Sequence, residues 1–569
     1  MAAIKKDSII EVADFSLSID NKSILKNINF TIAPNEIVAM VGESGSGKSL
    51  TALSLLGLLP KNKTQIDSGT IQFEETPLLD LTEKEWQQLR GNKISMVFQE
   101  PQSSLNPTMK CGVQVDEIIQ QHFKNRFSTK ERKIKVIEAF DRVKLPNPER
   151  IYNAYPHEIS GGQKQRVMIA MALMNEPKLL IADEPTTALD VQVQKEIIDL
   201  LKELQKQTQM SVLFISHDLS LVSQLADKIV VLYQGKVVET GTPIEIFKNP
   251  KEPYTRALIQ ARPTPNKRLK KLPTIEDYSD DLVVSEYVDP QYRSLRLDKL
   301  YTQEPLLSVR NLYKTYTSSN GLFGKKEHFT AVHNLSFDLY PGETLGLVGA
   351  SGCGKSTLGR ALVYLDKPTS GEIHYKGQSL KDLNPAQIRT LRTDVQFIFQ
   401  DPYAALHPQK KIGNAILEPL VAHKILPQSE QKNRVLSLLE QVGLDPAFFD
   451  RYPHELSGGQ RQRVVIARAL AVEPKVLICD ESVAALDISV QAQVLNLLNE
   501  LQEKLKLSYL FISHDLSVVQ YISDKIMVMH EGELVEYKEA DELYRNPEQL
   551  PTQKLIKAIP FVTFNLLKV

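Results

Sequence analysis

The sequence predicts an α/β fold that is built twice in tandem, with a mainly parallel sheet at the core of each copy. Three observations predict it. The same short motifs occur twice in the same order, about 300 residues apart. Short apolar runs end at polar or charged residues, which is typical of strands buried on both faces. A glycine-rich loop joins one such run to a helical pattern in each copy.

The repeat divides the 569-residue chain into two similar domains. A period this long indicates duplicated whole domains rather than a solenoid. We predict a first domain over 1–263, a linker over 264–304 and a second domain over 305–569. The linker is polar, and we expect its basic run NKRLKK (266–271) to be solvated. The matched motifs are GESGSGKS (42–49) with GASGCGKS (349–356), SGGQ (160–163) with SGGQ (457–460), IADE (181–184) with ICDE (478–481), and FISHDLS (214–220) with FISHDLS (511–517).

Five core strands are predicted in each domain. Open α/β sheets bind ligands at the carboxyl ends of their strands, so the residues that follow these runs are candidates for a site. The runs are EIVAMVG (36–42), KISMVFQ (93–99), KLLIADE (178–184), SVLFISH (211–217) and KIVVLYQG (228–235), and then ETLGLVG (343–349), DVQFIFQ (394–400), KVLICDE (475–481), SYLFISH (508–514) and KIMVMHEG (525–532).

Composition excludes several classes of protein. Hydrophobic residues make up 42% and charged residues 24%, an ordinary globular balance. The net charge of −1 gives no bulk attraction to nucleic acid or to an anionic membrane. The three cysteines contain no CxxC pair, so a zinc or iron–sulfur site is not expected, and we interpret Cys353 and Cys479 as packing residues. No apolar run approaches the ~20 residues that span a bilayer, and the N-terminus does not resemble a signal peptide.

Each glycine-rich loop matches the phosphate-binding pattern G-x-x-x-x-G-K-[ST]. Its glycines let backbone N–H groups surround phosphate oxygens, and the following helix contributes the positive end of its dipole. The lysine adds a full positive charge, and the final serine offers a hydroxyl to Mg²⁺. The predicted nucleotide-contacting residues are Gly42, Ser44, Gly45, Gly47, Lys48 and Ser49, with Gly349, Ser351, Gly352, Gly354, Lys355, Ser356 and Thr357.

A pair of carboxylates ends the third core strand of each domain. Asp183 and Asp480 are placed to hold Mg²⁺. Glu184 and Glu481 follow directly, where a carboxylate can orient an attacking water and accept its proton. A strand that ends in Asp-Glu is a weak signal alone, but both pairs follow a phosphate-binding loop at similar spacing.

The segments YPHEISGGQKQRV (155–167) and YPHELSGGQRQRV (452–464) resemble the signature of ATP-binding cassette (ABC) proteins. Gln99 and Gln400 match the Q-loops of that family, TALD (187–190) and AALD (484–487) its D-loops, and His217 and His514 its switch histidines. Ser160 and Ser457 each stand where a helix N-cap is expected. The resemblance implies two tandem P-loop NTPase cassettes, each with a mainly parallel core, a small antiparallel β subdomain and a helical subdomain.

The resemblance also implies the site residues and their grouping. Two cassettes of this family pair head to tail, so each ATP is shared between one phosphate-binding loop and the other cassette's signature. Glu184, Glu481, His217 and His514 are then catalytic. The first site combines Lys48, Ser49, Gln99, Asp183, Glu184 and His217 with Ser457, Gly458, Gly459 and Gln460. The second combines Lys355, Ser356, Gln400, Asp480, Glu481 and His514 with Ser160, Gly161, Gly162 and Gln163. The implied cofactors are ATP and Mg²⁺, the metal being held by Ser49, Gln99 and Asp183, and by Ser356, Gln400 and Asp480.

A closer resemblance indicates the type of transporter. FQEPQSSLNP (98–107), FQDPYAALHP (399–408) and the tail NPKEPYTRALIQARP (249–263) are similar to the ATPases of oligopeptide, dipeptide and nickel importers, here fused as in microcin C-type systems. This implies an energy-coupling ATPase at the cytoplasmic face of the inner membrane, with two integral membrane permeases and an extracytoplasmic substrate-binding protein as partners. Two alternatives stay open: an exporter motor, and a twin-cassette ATPase that acts on ribosomes.

Three departures from that family pattern carry expectations of their own. Tyr316 is placed to stack on adenine in the second cassette, whereas Ile19 stands at the corresponding position in the first. The second cassette reads DESVAALD (480–487) where the first reads DEPTTALD (183–190), and the missing proline predicts a looser Glu481 and slower hydrolysis at the second site. The cysteine-rich tail of some peptide-importer ATPases is not found, so no iron–sulfur cluster is expected.

Overall fold

A computed structural model describes residues 8–99, 104–123, 126–187, 189–263, 268–274, 277, 286–319, 326–484 and 486–559. The chain separates into two compact units whose main boundary lies between Ile259 and Gln260. Within the described ranges, no helix is both long and apolar enough to cross a membrane.

The first unit contains the predicted core sheet. Its six strands run in the order β10-β9-β3-β8-β7-β6, and all are parallel except β10. Every residue of β3, β7 and β8 is buried, as expected for strands covered on both faces. A separate antiparallel sheet has the order β2-β1-β4-β5. The strands are β1 Ile10–Ile19, β2 Lys22–Ile32, β3 Ile37–Val41, β4 Thr64–Phe73, β5 Thr76–Pro77, β6 Ile94–Val97, β7 Leu179–Asp183, β8 Ser211–Ser216, β9 Lys228–Tyr233 and β10 Lys236–Gly241.

Helices of the first unit cover the core sheet and form a helical subdomain between β6 and β7. The helix after the phosphate-binding loop ends at Ser54. Gly57 then turns the chain with φ 59°, beneath the buried ring of Trp86. The helices are α1 Lys48–Ser54, α2 Glu83–Leu89, α3 Cys111–His122, α4 Thr129–Arg142, α5 Pro148–Asn153, α6 Gly161–Leu173, α7 Val191–Thr208, α8 Leu219–Val222, α9 Pro243–Lys248 and α10 Pro253–Gln260.

The second unit repeats this architecture. Its core sheet has the order β16-β17-β18-β13-β19-β20, and its antiparallel sheet the order β12-β11-β14-β15. The elements are α11 Pro290–Leu300, β11 Leu307–Ser319, β12 Lys326–Leu339, β13 Thr344–Val348, α12 Lys355–Leu362, β14 Ser370–Tyr375, β15 Gln378–Ser379, α13 Pro385–Asp394, β16 Val395–Ile398, α14 Pro402–Ala405, α15 Ile412–His423, α16 Gln428–Gln441, α17 Gly458–Leu470, β17 Val476–Asp480, α18 Ile488–Leu505, β18 Ser508–Ser513, α19 Leu516–Ile522, β19 Lys525–His530, β20 Glu533–Glu539, α20 Ala540–Arg545 and α21 Leu550–Ala558. The predicted fold class is therefore confirmed in both halves.

The described part of the segment 264–304 belongs to the second unit, and we call its residues 268–274, 277 and 286–301 the strap. Arg268 is only 13% exposed in its side chain, so the expectation of a solvated basic run is wrong for this residue. The reason is hydrogen bonding, because its guanidinium donates to the carbonyl oxygens of Tyr521 and Ser523. Lys270 and Lys271 are exposed, as expected. Asn266 and Lys267 lie outside the described residues, and the limits 1–263, 264–304 and 305–569 remain predictions.

The cysteines are buried in the units' interiors. Burial raises the pKa of Cys353, and it raises that of Cys479 to about 12, so neither thiol is poised to react. Their interpretation as packing residues agrees with these positions.

Candidate functional site

The two phosphate-binding loops share one backbone shape. Gly47 precedes α1 with φ 107°, and Gly354 precedes α12 with φ 105°. A Cβ atom at Gly47 would lie 2.4 Å from Cδ2 of Leu25, and one at Gly354 would lie 2.0 Å from the carbonyl oxygen of Ala331. Both the conformation and the space therefore require glycine.

The lysine of each loop is buried against the loop's own backbone. Lys48 donates from Nζ to the carbonyl oxygens of Gly42 and Glu43, at 2.8 Å each. Lys355 makes the equivalent bonds in the second cassette, at 2.8 Å and 3.0 Å. The ammonium group is thus held at the anion-binding loop, where charge-assisted hydrogen bonds to phosphate oxygens are strongest.

A hydroxyl and a carboxylate meet beside each loop. Ser49 Oγ donates to Asp183 Oδ1 at 3.2 Å, and Ser356 Oγ donates to Asp480 Oδ1 at 3.1 Å. Burial raises the pKa of Asp183 to about 6 despite the bond from Ser49, and it raises the pKa of Asp480 as well. These are hard oxygen donors of the kind Mg²⁺ prefers, so the residues present fit that ion, which would neutralise phosphate charge when bound.

Glu184 is the centre of a compact cluster in the first cassette. Its Oε2 accepts from Gln99 Nε2 at 3.0 Å and from Thr187 Oγ1 at 2.9 Å, and lies 3.2 Å from His217 Nδ1. Burial by itself raises the pKa of Glu184, but the hydrogen bond and charge of His217, together with Lys48 and Thr187, lower it to about 2. The carboxylate is therefore ionised at neutral pH, as a proton acceptor must be.

Glu481 forms the corresponding cluster in the second cassette. Gln400 Nε2 donates to its Oε2 at 2.7 Å, and His514 Nδ1 lies 3.5 Å from its Oε1. Burial opposes ionisation here too, and the contact with His514 and the charge of Lys355 outweigh it and lower the pKa of Glu481. The Gln99 and Gln400 amides thus contact Glu184 and Glu481, while the catalytic role of the glutamates and the metal-ligand role of the glutamines remain predictions.

Each SGGQ segment begins a helix. Ser160 caps α6 by accepting from Gln163 N, and Gln163 Oε1 accepts from Ser160 N at 3.1 Å. Ser457 and Gln460 repeat this capping box at α17. Both N-cap predictions are confirmed. Ser160 and Ser457 are exposed, and each stands at the positive end of its helix dipole.

Comparison with known proteins identifies the family. The family model described as "ABC transporter" matches residues 25–187 and 332–484. A second model, "Oligopeptide/dipeptide transporter, C-terminal region", matches residues 238–283. The chain belongs to the ABC transporter family. It is an ABC-type ATPase of the oligopeptide/dipeptide branch, as its motifs predicted.

Curated relatives resemble nearly the whole chain. The glutathione import ATP-binding proteins GsiA of Shigella boydii serotype 4 (strain Sb227) and of Escherichia coli (strain K12) are each 46% identical over 544 residues. The alignments cover 94% of this chain and 86% of each relative. Among solved structures, cbiO1 from Clostridium perfringens, part of the ABC transporter complex cbiONQ, is 31% identical with a TM-score of 0.38, covering 43% of this chain and 92% of that one.

The positions predicted to contact adenine in this ABC ATPase differ between the cassettes. Tyr316 is 37% exposed, its hydroxyl donates to Asp366 Oδ2 at 3.1 Å, and it is also hydrogen-bonded with Thr357, another predicted nucleotide residue. Ile19 packs instead against the hydrophobic core of the first unit. An aromatic platform is therefore present in the second cassette, and an aliphatic side chain occupies its place in the first.

Thr187 is a site residue that sequence analysis did not identify. The D-loop motif contains it, but only the folded turn places its hydroxyl on Glu184. Its counterpart is Ala484, which has no hydroxyl. Ala188 and Ala485 of the D-loops, and residues 100–103 of the first Q-loop segment, lie outside the described residues.

Proposed function

We propose that this chain is the energy-coupling ATPase of a membrane importer for peptides or peptide-like substrates. The observation that carries the proposal is the near full-length similarity to glutathione import ATP-binding proteins, with both sets of motif residues present. Glutathione itself is a peptide-like molecule. The chain would act at the cytoplasmic face of the inner membrane, with two permeases and an extracytoplasmic binding protein.

We infer that the two cassettes form two composite ATP sites. Lys48 and Lys355 would bind the β/γ-phosphates, and Ser49–Asp183 and Ser356–Asp480 would hold Mg²⁺. Glu184 and Glu481 would accept a proton from the attacking water, and His217 and His514 would donate a hydrogen bond to the transferred group. The capped, exposed signature helices support this arrangement, because a helix N-terminus with two glycines can approach a phosphate closely. Two bound ATPs would favour the closed pair, and hydrolysis would let it open.

Exposed apolar residues at matching positions of the two cassettes support the proposal of two permease partners. In the first cassette, Leu58 is 40% exposed and Phe98, next to Gln99, is 43% exposed. In the second cassette, Leu365 is 50% exposed and Phe399, next to Gln400, is 43% exposed. Exposed apolar patches of this kind mark interaction sites. A helix of a permease that docks beside the Q-loop residue would sense the state of the catalytic glutamate.

The proposal is tested by purifying the tagged chain from gently solubilised membranes. Two multi-span membrane proteins should co-purify, and ATPase activity should rise when a peptide-loaded binding protein is added. Leu58→Asp with Phe98→Asp should reduce the amount of membrane protein that co-purifies, and adding Leu365→Asp and Phe399→Asp should abolish the co-purification. Ile134→Asp, at a residue 55% exposed on α4, should retain it and is the matched control.

Other outcomes would favour other functions. Co-purification of ribosomal proteins instead of permeases would contradict the importer proposal and indicate a translation ATPase. Membrane partners that respond to a cytoplasmic substrate, with no effect of any binding protein, would indicate an exporter.

A further inference from the structure

The turn that follows each catalytic glutamate is the same in both cassettes. Glu184 has φ 44° and Glu481 has φ 48°, which is the left-handed region. Each backbone N–H donates to a carbonyl oxygen of the next core strand, Glu184 to Ile215 at 3.0 Å and Glu481 to Ile512 at 2.9 Å. The turns therefore hold both glutamates in one uncommon backbone conformation.

The residue three positions later closes this turn. Thr187 N donates to Glu184 O at 3.2 Å, and Ala484 N donates to Glu481 O at 3.1 Å. Replacement of Pro185 by Ser482 therefore leaves the backbone of the turn unchanged. The sequence-based reason for a looser Glu481, loss of the proline, has no counterpart in this geometry.

What differs is one side-chain hydrogen bond. The Thr187 hydroxyl donates to Glu184 Oε2 at 2.9 Å, and the Gln99 and His217 contacts converge on the same oxygen. In the second cassette the hydroxyl is missing at Ala484, and the two contacts of Glu481 are divided between Oε2 and Oε1.

We propose that Thr187 is a positioning residue that holds the Glu184 carboxylate for catalysis, and that its replacement by Ala484 makes the second site the slower one. Three contacts on Oε2 restrict rotation about the last torsion of Glu184 and leave the other carboxylate oxygen for the attacking water. Two contacts split between both oxygens occupy the oxygen that the water would need. The inference rests on the proposed role of Glu184 and Glu481 as proton acceptors.

The magnitude expected is modest. Thr187 touches no reacting atom, and small displacements of a positioned catalytic group reduce rates by up to ~100-fold. In the Glu481→Gln background, which reports the first site, we expect Thr187→Ala and Thr187→Val to lower kcat roughly tenfold with the KM for ATP within about twofold, because only orientation in the transition state is affected. Thr187→Ser, which keeps the hydroxyl, should retain most of the activity.

Exchanges of residues between the two cassettes provide a variant that should gain activity and two control variants. Ala484→Thr should raise total ATPase activity, up to about twice the wild-type rate if the second site becomes as fast as the first. Pro185→Ser and Thr186→Val introduce residues that the second cassette carries as Ser482 and Val483. They should leave kcat within about twofold of wild type.

The experiment measures steady-state ATPase of the full chain for these variants, alone and with Glu481→Gln or Glu184→Gln, which report the remaining site. Loss of activity in Thr187→Val with rescue in Thr187→Ser supports the proposal. Unchanged kcat in Thr187→Ala, or loss in Pro185→Ser instead, overturns it. Full activity in both glutamine variants would instead contradict the proposed role of the glutamates, so the two failures are distinguishable.

Discussion

Arg293 should anchor the strap to the second cassette, and its removal should destabilise that unit selectively. Its side chain is only 10% exposed. It pairs with Glu539 and Asp541 and donates to the carbonyl oxygens of Ser523 and Asp524 at 3.2 Å each. Arg293→Ala leaves the buried Ser523 and Asp524 carbonyl groups, and the partly buried carboxylates of Glu539 and Asp541, without that partner.

The expected loss in the free energy of unfolding follows from the burial of Arg293. Removing one partner of a buried ion pair costs ~3–5 kcal/mol, and the low end applies because Arg268 still neutralises Asp541 at 3.0 Å. For a unit of this size, each kcal/mol shifts Tm by ~2–4 °C, so the second unit should melt ~6–12 °C lower.

Calorimetry of the full chain is the assay, since two units are expected to give separable transitions. Arg293→Ala should move one transition and leave the other in place. Lys270→Ala is the matched control in the same strap, because Lys270 and its partner Glu286 are both more than half exposed and such pairs contribute ~0–1 kcal/mol. A shift for Arg293→Ala as small as that for Lys270→Ala would refute the anchoring of the strap.

Three further predictions concern nucleotide, metal and proton. Tyr316→Ala should weaken ATP binding at the second site by ~1–3 kcal/mol, the usual loss for an aromatic that stacks on a base, whereas Ile19→Ala should have little effect on binding measured with a fluorescent ATP analogue. Because burial raises the pKa of Asp183 to about 6, Mg²⁺ must displace a proton from this carboxyl group below that pH. The Mg²⁺ concentration for half-maximal ATPase activity should therefore rise ~10-fold per pH unit below 6. A Mg²⁺ concentration for half-maximal activity that is the same from pH 7 to 5 would contradict this. Burial raises the pKa of Glu343 from 4.5 to about 7, so its contribution to stability, ~3 kcal/mol, is present below pH 4.5 and is lost as pH rises through 7. The Tm of the second unit should therefore fall between pH 5 and pH 8. Glu343→Gln should reduce this dependence of Tm on pH.

The core strands were predictable because each is a short apolar run buried on both faces, a pattern that tolerates no polar interruption. The loops were predictable because Gly47 and Gly354 occupy backbone space that no other residue fits. Contacts between individual side chains were not predictable. The hydroxyl of Thr187 contacts Glu184 in a turn where Glu184 adopts a left-handed conformation, which is uncommon outside glycine, and no propensity indicates that turn.

The contacts of the strap were likewise not predictable from the sequence. A polar segment with basic residues predicts solvation, since burying a charge is costly unless it is paired. Here the pairing partners are supplied by the fold. The end of α19 presents the carbonyl oxygens of Tyr521 and Ser523, which as a helix C-terminus carry partial negative charge and favour a cation.

Helix α19 also connects the strap to the segment that carries His514. It begins two residues after His514, and its N-cap Asp515 accepts from Ser517 N at 2.8 Å. Arg262 lies 3.7 Å from Asp515 at that end, and Arg268 binds the carbonyl oxygens at the other end. Both ends of the helix that follows the switch histidine are thus held by arginines located between the two sets of ABC motifs. We therefore expect a change in the strap to alter the position of His514 through this helix.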